Sequence, residues 1–150
     1  MKCADTNVME REPSVIEPAS DVTQGIIHFP AGLLGFEEVT RYQLLGSPEE
    51  APFLWLQMAE EPQLAFLVIS PTVILESYHP DLSPEDAEVL GLEQAQDAMV
   101  FNIVTMHQDG NATVNLKGPI VINRQTLTGR QVIPLNSSEF ALQHPLPLVK

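Results

Sequence analysis

Apolar and polar residues alternate over short segments along most of the chain, a pattern typical of β-strands. Prolines and glycines interrupt the pattern roughly every ten to fifteen residues, a spacing that predicts a closed or nearly closed antiparallel barrel or sandwich. The predicted strands are Arg41–Leu45, Phe53–Met58, 64–70, 99–107, 112–117, 119–123 and 129–135, preceded by an ordered run at 22–29. The fold class is therefore all-β, a small antiparallel β-barrel-like domain.

Two local signals refine this prediction. Asp109 and Gly110 stand between two strand patterns and predict a hairpin, since both residue types tolerate positive φ at a tight turn. Residues 83–91 predict the one short helix, with Ser83 as cap, Pro84 at the first position and Gly91 at the end. We expect this helix to cover an end of the barrel.

The two chain ends lack a sustained period. Residues 1–20 contain Pro13 and Pro18 and predict a mobile arm or a loosely attached edge strand, leaving 21–150 as a single domain. The proline-rich segment 144–148 fits a disordered end or a docking strip, and the sequence does not separate these alternatives.

Charge is distributed unevenly along the chain. The net charge is -13, and no lysine or arginine lies between Arg41 and Lys117, an interval that holds most of the acids. Beyond it the balance is mildly basic, which predicts an electrostatically two-sided molecule. Such a protein repels phosphates and attracts basic protein surfaces, so direct nucleic-acid binding is not expected.

The sequence predicts a cytoplasmic protein. No apolar run approaches the ~20 residues that cross a bilayer, and the first residues lack the apolar stretch of a secretory signal. Cys3, the single cysteine, cannot form an internal disulfide and is expected to be a free thiol.

Catalytic motifs are not found in the sequence. The glycines at 32 and 35 flank two leucines in what reads as a compact turn, without the lysine and serine of a phosphate-binding loop. His28 and His107 could meet across a barrel with Glu37 or Glu76 as a third metal ligand, but each is more simply a strand or loop residue. We expect a binding protein rather than an enzyme, with no cofactor.

A series of motifs resembles the flagellar assembly factor FliW family, from about residue 22 to residue 148. It comprises FPAGLLGFE at 29–37, PFLWLQ at 52–57, LAF at 64–66, Tyr78 with DL at 81–82, VNLKGPIVIN at 114–123, GRQV at 129–132 and HPL at 144–146. The resemblance implies a β-barrel-like protein that binds flagellin and, when free, binds and inhibits the translational regulator CsrA. It also implies a monomer when free that couples flagellin synthesis to export.

The resemblance places partner contacts in the loop after residue 57 and around Tyr78. The candidate partner-binding residues are Glu60, Glu61, Gln63, Tyr78, His79 and Asp81. Phe53, Trp55 and Phe66 are expected in the core, and Asn123 as a buried amide that joins strands. Two other functions remain open at this point, a small metal-dependent β-barrel enzyme and a generic acidic chaperone without a regulatory partner.

Overall fold

The computed structural model describes residues 8–10, 25–71, 75 and 78–146 of the chain. Its helix α1 spans Pro84–Leu90, and short 3₁₀ turns lie at Pro48–Glu50, Ala95–Asp97 and Ser137–Glu139. The strands are β1 (Val8–Glu10), β2 (Ile27–His28), β3 (Arg41–Leu45), β4 (Phe53–Met58), β5 (Leu64–Ile69), β6 (Ala98–Met106), β7 (Ala112–Val114), β8 (Ile120–Asn123), β9 (Thr128–Gln131) and β10 (His144–Leu146).

Seven of these strands close into a barrel, which confirms the predicted fold class. The order around it is β2, β3, β4, β5, β6, β8 and β9, and β9 returns to β2. All neighbours are antiparallel except β2 and β9, which pair in parallel at His28 and Thr128. This parallel contact was not predicted, because it joins segments about a hundred residues apart that have no shared turn.

The barrel strands bury side chains on both faces. Phe66 and Val68 of β5 point into the main core, whereas Leu67 and Ile69 point outward into a second cluster that includes Val104 and Val114. The alternation follows from the two-residue period of a strand. Both faces are apolar because β7, β10, α1 and the connecting segments cover the outside of the wall.

Gly129 on β9 is required by the packing of the main core. A Cβ at this position would lie 2.6 Å from the ring of Phe29, which is fully buried. A glycine here lets the ring lie against the strand backbone. The GRQV segment therefore begins with a residue that the core dimensions dictate.

Helix α1 lies against the outer wall of the barrel and does not cover its end, so that expectation was wrong. Leu90 packs in a third cluster with Val121 and Val132. Val121 lies on β8, whose neighbouring residues Ile120 and Ile122 face the main core. The predicted ends are confirmed. Ser83 caps the helix by accepting a hydrogen bond from the Asp86 N–H at 3.0 Å, and Gly91 ends it with φ of 69°.

The Asp109–Gly110 hairpin is confirmed between β6 and β7, with Gly110 at φ of 91°. The backbone and side-chain amides of Asn111 donate to the Asp109 carboxylate at 2.9 and 3.1 Å. These hydrogen bonds, chiefly the backbone one, hold the pKa of Asp109 below its ordinary value.

Both chain ends contribute an edge strand. Val8–Glu10 pairs with the first half of β5, and the remainder of the predicted arm lies outside the described residues, as does Cys3. His144–Leu146 pairs with β7, so the segment expected to be a disordered end or a docking strip is a strand as far as Leu146. Pro145 is tolerated there because an edge strand can leave one side unpaired.

Asn123 joins three parts of the fold, and its predicted burial is confirmed at 2% exposure. Its Nδ2 donates to the carbonyls of Leu90 and Gly91 at 2.8 and 3.2 Å. Its Oδ1 accepts from the N–H groups of Gln125 and Thr126 at 2.8 and 3.3 Å. The amide thus uses its full hydrogen-bonding capacity to hold the end of α1 against the β8–β9 turn.

We expect Asn123→Ala to lower the free energy of unfolding by about 3 kcal/mol, because it leaves buried carbonyl and N–H groups without partners. Gln125→Ala is the matched control in the same turn, since this side chain is exposed and its substitution should cost less than about 0.5 kcal/mol. Urea unfolding measures both. Equal effects from the two substitutions would contradict the role given to Asn123.

Candidate functional site

The six predicted partner-binding residues lie in two groups at opposite ends of β5. Glu60, Glu61 and Gln63 belong to the turn before this strand, and 78–81 follow it. The strand itself spans roughly 17 Å at about 3.3 Å per residue. The two groups therefore form no single compact site, although an interface of standard size is wide enough to cover both.

The first group is a short polar turn between β4 and β5. Glu60 forms an ion pair with Arg41, and both side chains are largely exposed. Glu61 is exposed and Gln63 is half-buried. Of the two acids, Glu61 is thus the one without an ion pair among the described residues. Surface pairs such as Arg41–Glu60 contribute little to stability.

Tyr78, in the second group, is an interior residue. Its ring is 3% exposed and packs edge-on against Phe140 at 4.6 Å between centroids. Its hydroxyl donates to the Leu116 carbonyl at 2.6 Å and accepts from the Asn102 Nδ2 at 3.4 Å. Tyr78 therefore fixes the start of the 78–82 segment on the outer cluster, and its hydroxyl is engaged inside the protein.

His79 and Asp81 are exposed on the segment that Tyr78 anchors. Asn136 holds this segment from the other side: its Nδ2 donates to the His79 carbonyl at 3.0 Å and its Oδ1 accepts from the Asp81 N–H at 2.9 Å. The Leu135 N–H also donates to the Asp81 carbonyl at 2.8 Å. The backbone is therefore constrained while both side chains face solvent.

A cavity of about 520 Å³ opens between this segment, α1 and the barrel wall. We call it the α1 recess. Its floor is made by outward-facing residues of β6 and β8, namely Ala98, Val100 and Val121, and Ala87 of α1 forms one wall. The remaining lining residues are Pro71, Tyr78, His79, Pro80, Leu82, Leu92, Glu93 and Gln94.

The lining of the α1 recess is apolar at depth and polar at the mouth. Pockets of 300–1,000 Å³ with mostly apolar walls are the usual size for binding a small molecule or a large side chain. His79, Glu93 and Gln94 are exposed and stand at its edge, and the Tyr78 hydroxyl is committed to Leu116. The recess is built to accept an apolar group rather than to orient a polar one.

Sequence reasoning located Tyr78 and His79 but missed the recess they border. It is concave because small residues occupy positions where a larger side chain would fill the space, as at Ala87 and Ala98. These residues come from segments that are distant in sequence, and alanines carry no signal by themselves. Asn136, which positions 79–81, was also missed, since its partners lie more than fifty residues away.

The four basic residues in the described part of the chain all hold intramolecular contacts. Arg41 pairs with Glu60, and the Arg130 Nε lies 2.9 Å from the Asp86 carboxylate. The Lys117 Nζ donates to the Ser137 carbonyl at 2.8 Å, and the Arg124 Nε to the Gln96 carbonyl at 2.9 Å. Arg41 and Arg130 are thus offset by carboxylates, whereas Lys117 and Arg124 donate to neutral carbonyls and keep their positive charge.

No metal centre is assembled in the described ranges, where no three His, Cys, Asp or Glu side chains form a group able to hold an ion. His28 is exposed on β2, and the His107 Nε2 is hydrogen-bonded to the Thr113 hydroxyl at 2.8 Å. Glu76, an alternative ligand, lies outside these ranges. None of the described helices has the length and apolar composition of a membrane span.

The two tyrosines of the chain make the free energy of unfolding depend on pH in the alkaline range. Burial raises the pKa of both Tyr42 and Tyr78, and the Asn102 hydrogen bond offsets part of the shift at Tyr78. The folded state therefore favours the neutral phenol. The stabilisation is fully present below the unfolded pKa of about 10 and is lost as the pH rises through the folded values.

We accordingly expect the free energy of unfolding to be insensitive to these groups between pH 7 and about 9 and to fall above about pH 10. Tyrosinate absorbance should appear together with loss of the far-ultraviolet circular dichroism signal. In Tyr78→Phe only Tyr42 remains, so the ionisation seen in this variant belongs to Tyr42 and the one that is lost belongs to Tyr78. Ionisation of both phenols near pH 10 in a protein that stays folded would contradict the burial described here.

The sequence matches a family model described as FliW protein over residues 15–146. The flagellar assembly factor FliW of Natranaerobius thermophilus is 38% identical over 123 residues, which cover 81% of each chain. That of Leptospira biflexa is 43% identical over 110 residues, 72% of each chain, and that of Bacillus subtilis 36% over 122 residues, 81% of this chain and 85% of the relative.

A crystal structure of the flagellar assembly factor FliW also has this fold. It superimposes with a TM-score of 0.73 at 32% sequence identity, covering 85% of this chain and 90% of the other. The family match extends across all the barrel strands, α1 and the segments that line the α1 recess. On the agreement of sequence and fold, this chain belongs to the FliW family.

Proposed function

We propose that this protein is a flagellar assembly factor that binds flagellin and, when free, binds and antagonises the translational regulator CsrA. Membership of the FliW family is the observation that carries the proposal. In this scheme flagellin holds the factor until flagellin is exported. The released factor then inhibits CsrA, flagellin translation resumes, and synthesis is coupled to export.

The surface chemistry supports a basic protein as one partner. The segment from Tyr78 to Ala98 contains acids and no lysine or arginine, and most of these acids are exposed. CsrA recognises messenger RNA through basic surfaces. An acidic protein docked beside them repels the phosphate backbone, so inhibition does not require the two ligands to overlap.

The same features favour a binding function over catalysis. The α1 recess has mostly apolar walls, and the Tyr78 phenol beside it donates its hydrogen bond to the backbone. We place the protein in the cytoplasm, because CsrA acts there and flagellin is present there before its export. We also propose that the free protein is a monomer. A generic acidic chaperone would bind flagellin but would leave CsrA active, which separates the two functions experimentally.

A titration of all three proteins tests the switch. We expect this protein to release RNA from CsrA, and added flagellin to restore RNA binding by competing for the protein. RNA-binding anisotropy follows both steps, and an unrelated acidic protein should have no effect. Binding of neither partner, measured by pulldown with each, would rule out the proposed function.

Charge reversal tests the turn between β4 and β5. Glu60→Lys with Glu61→Lys should weaken inhibition of CsrA several-fold, with little change in melting temperature, since exposed charges contribute little to stability. The matched control is Glu38→Lys with Glu49→Lys, which makes the same charge change at two exposed acids outside this turn. Equal weakening by both pairs would indicate an effect of net charge rather than of a local contact. Unchanged inhibition by the first pair would show that Glu60 and Glu61 do not contact CsrA.

A further inference from the structure

The α1 recess has two properties that together select a particular ligand chemistry. Its floor and walls are apolar, and the segments around its mouth carry a surplus of negative charge. The acids of these segments are Asp81, Glu85, Asp86, Glu88, Glu93 and Asp97. Two basic side chains reach these segments: Arg130 is paired with the Asp86 carboxylate, and Arg124 donates to the Gln96 carbonyl.

We propose that the α1 recess is the docking site for a basic amphipathic segment of a protein partner, which inserts a large apolar side chain and places lysines or arginines against the acidic mouth. An inserted Leu, Met or Phe side chain would be removed from water by Ala87, Val100 and Val121. The flanking cations would face Glu93 and the exposed acids of α1. Anchors of this kind carry most of the energy of an interface.

The rigidity of the walls supports docking without rearrangement. Tyr78 and Asn136 hold one wall through hydrogen bonds to the backbone, and Asn123 holds the end of α1 that forms the other. A preformed recess avoids the entropic cost of ordering a loop when the partner binds. Among the described lining residues, the Tyr78 hydroxyl is committed to Leu116, and His79, Glu93 and Gln94 are exposed. This arrangement favours an apolar side chain over a polar small molecule as the occupant.

The assignment rests on the proposed function, in that CsrA is the partner with basic surfaces. Ala87→Phe fills the recess from α1, and Val89→Phe is its control, because Val89 is 44% exposed on the same helix and does not line the cavity. Calorimetric titration with CsrA should give at least about tenfold weaker binding for Ala87→Phe. Val89→Phe should bind within about twofold of the wild type.

A second pair tests the charge without altering the core. Glu93→Lys at the mouth should weaken CsrA binding about threefold or more, and the loss should shrink as salt is raised. Glu49→Lys, an exposed residue that does not line the recess, makes the same charge change and should have a smaller effect. The Glu93 variant remains informative if Ala87→Phe disturbs folding, which the melting temperature reports.

Wild-type CsrA affinity in a folded Ala87→Phe variant would overturn the proposal, whether or not this variant still binds flagellin. If Ala87→Phe does not fold, Glu93→Lys decides, and wild-type affinity for CsrA would overturn the proposal. Failure of the proposed function has a different signature, since the wild-type protein itself would then bind neither protein.

Discussion

The side-chain amide of Asn123 is the interaction on which the geometry of the α1 recess depends. It joins the last turn of α1 to the β8–β9 turn. From that turn the Leu127 carbonyl accepts a hydrogen bond from the His28 N–H at 2.9 Å, beside the only parallel strand pair in the described sheet. One buried amide thus couples the closure of the barrel to the position of the helix that forms a wall of the α1 recess.

The interior of the closed barrel is filled by packed side chains, and the α1 recess lies on its outer wall. Phe29, Tyr42 and Phe66 are fully buried and fill the centre with edge-on and tilted ring contacts. No ligand space remains at such positions, since a tightly packed core tolerates little extra volume. The outward residues of the same strands form the floor on which α1 and the 78–82 segment rest. Concave surface arises where these covering elements do not meet.

Local patterns were sufficient to predict the elements, and non-local contacts explain what they missed. β3 and β4 were predicted residue for residue by their apolar runs, and α1 by Ser83, Pro84 and Gly91. The pairing of His144–Leu146 with β7 depends on an edge created elsewhere, which a proline-rich tripeptide does not encode. The α1 recess depends on the absence of side-chain volume at Ala87 and Ala98, and its presence follows only from the assembled structure.

The charge pattern acquires a different meaning once the contacts are known. The sequence suggested an acidic middle and a basic end, but Arg130 reaches back to Asp86 and Arg41 to Glu60. The cations are thus used to hold segments together, whereas Glu85, Glu88 and Glu93 remain exposed beside an apolar recess. In the proposed docking, long-range attraction to a basic partner and short-range burial of its apolar side chain act at the same place. Attraction of this kind mainly raises the association rate, and burial mainly slows dissociation.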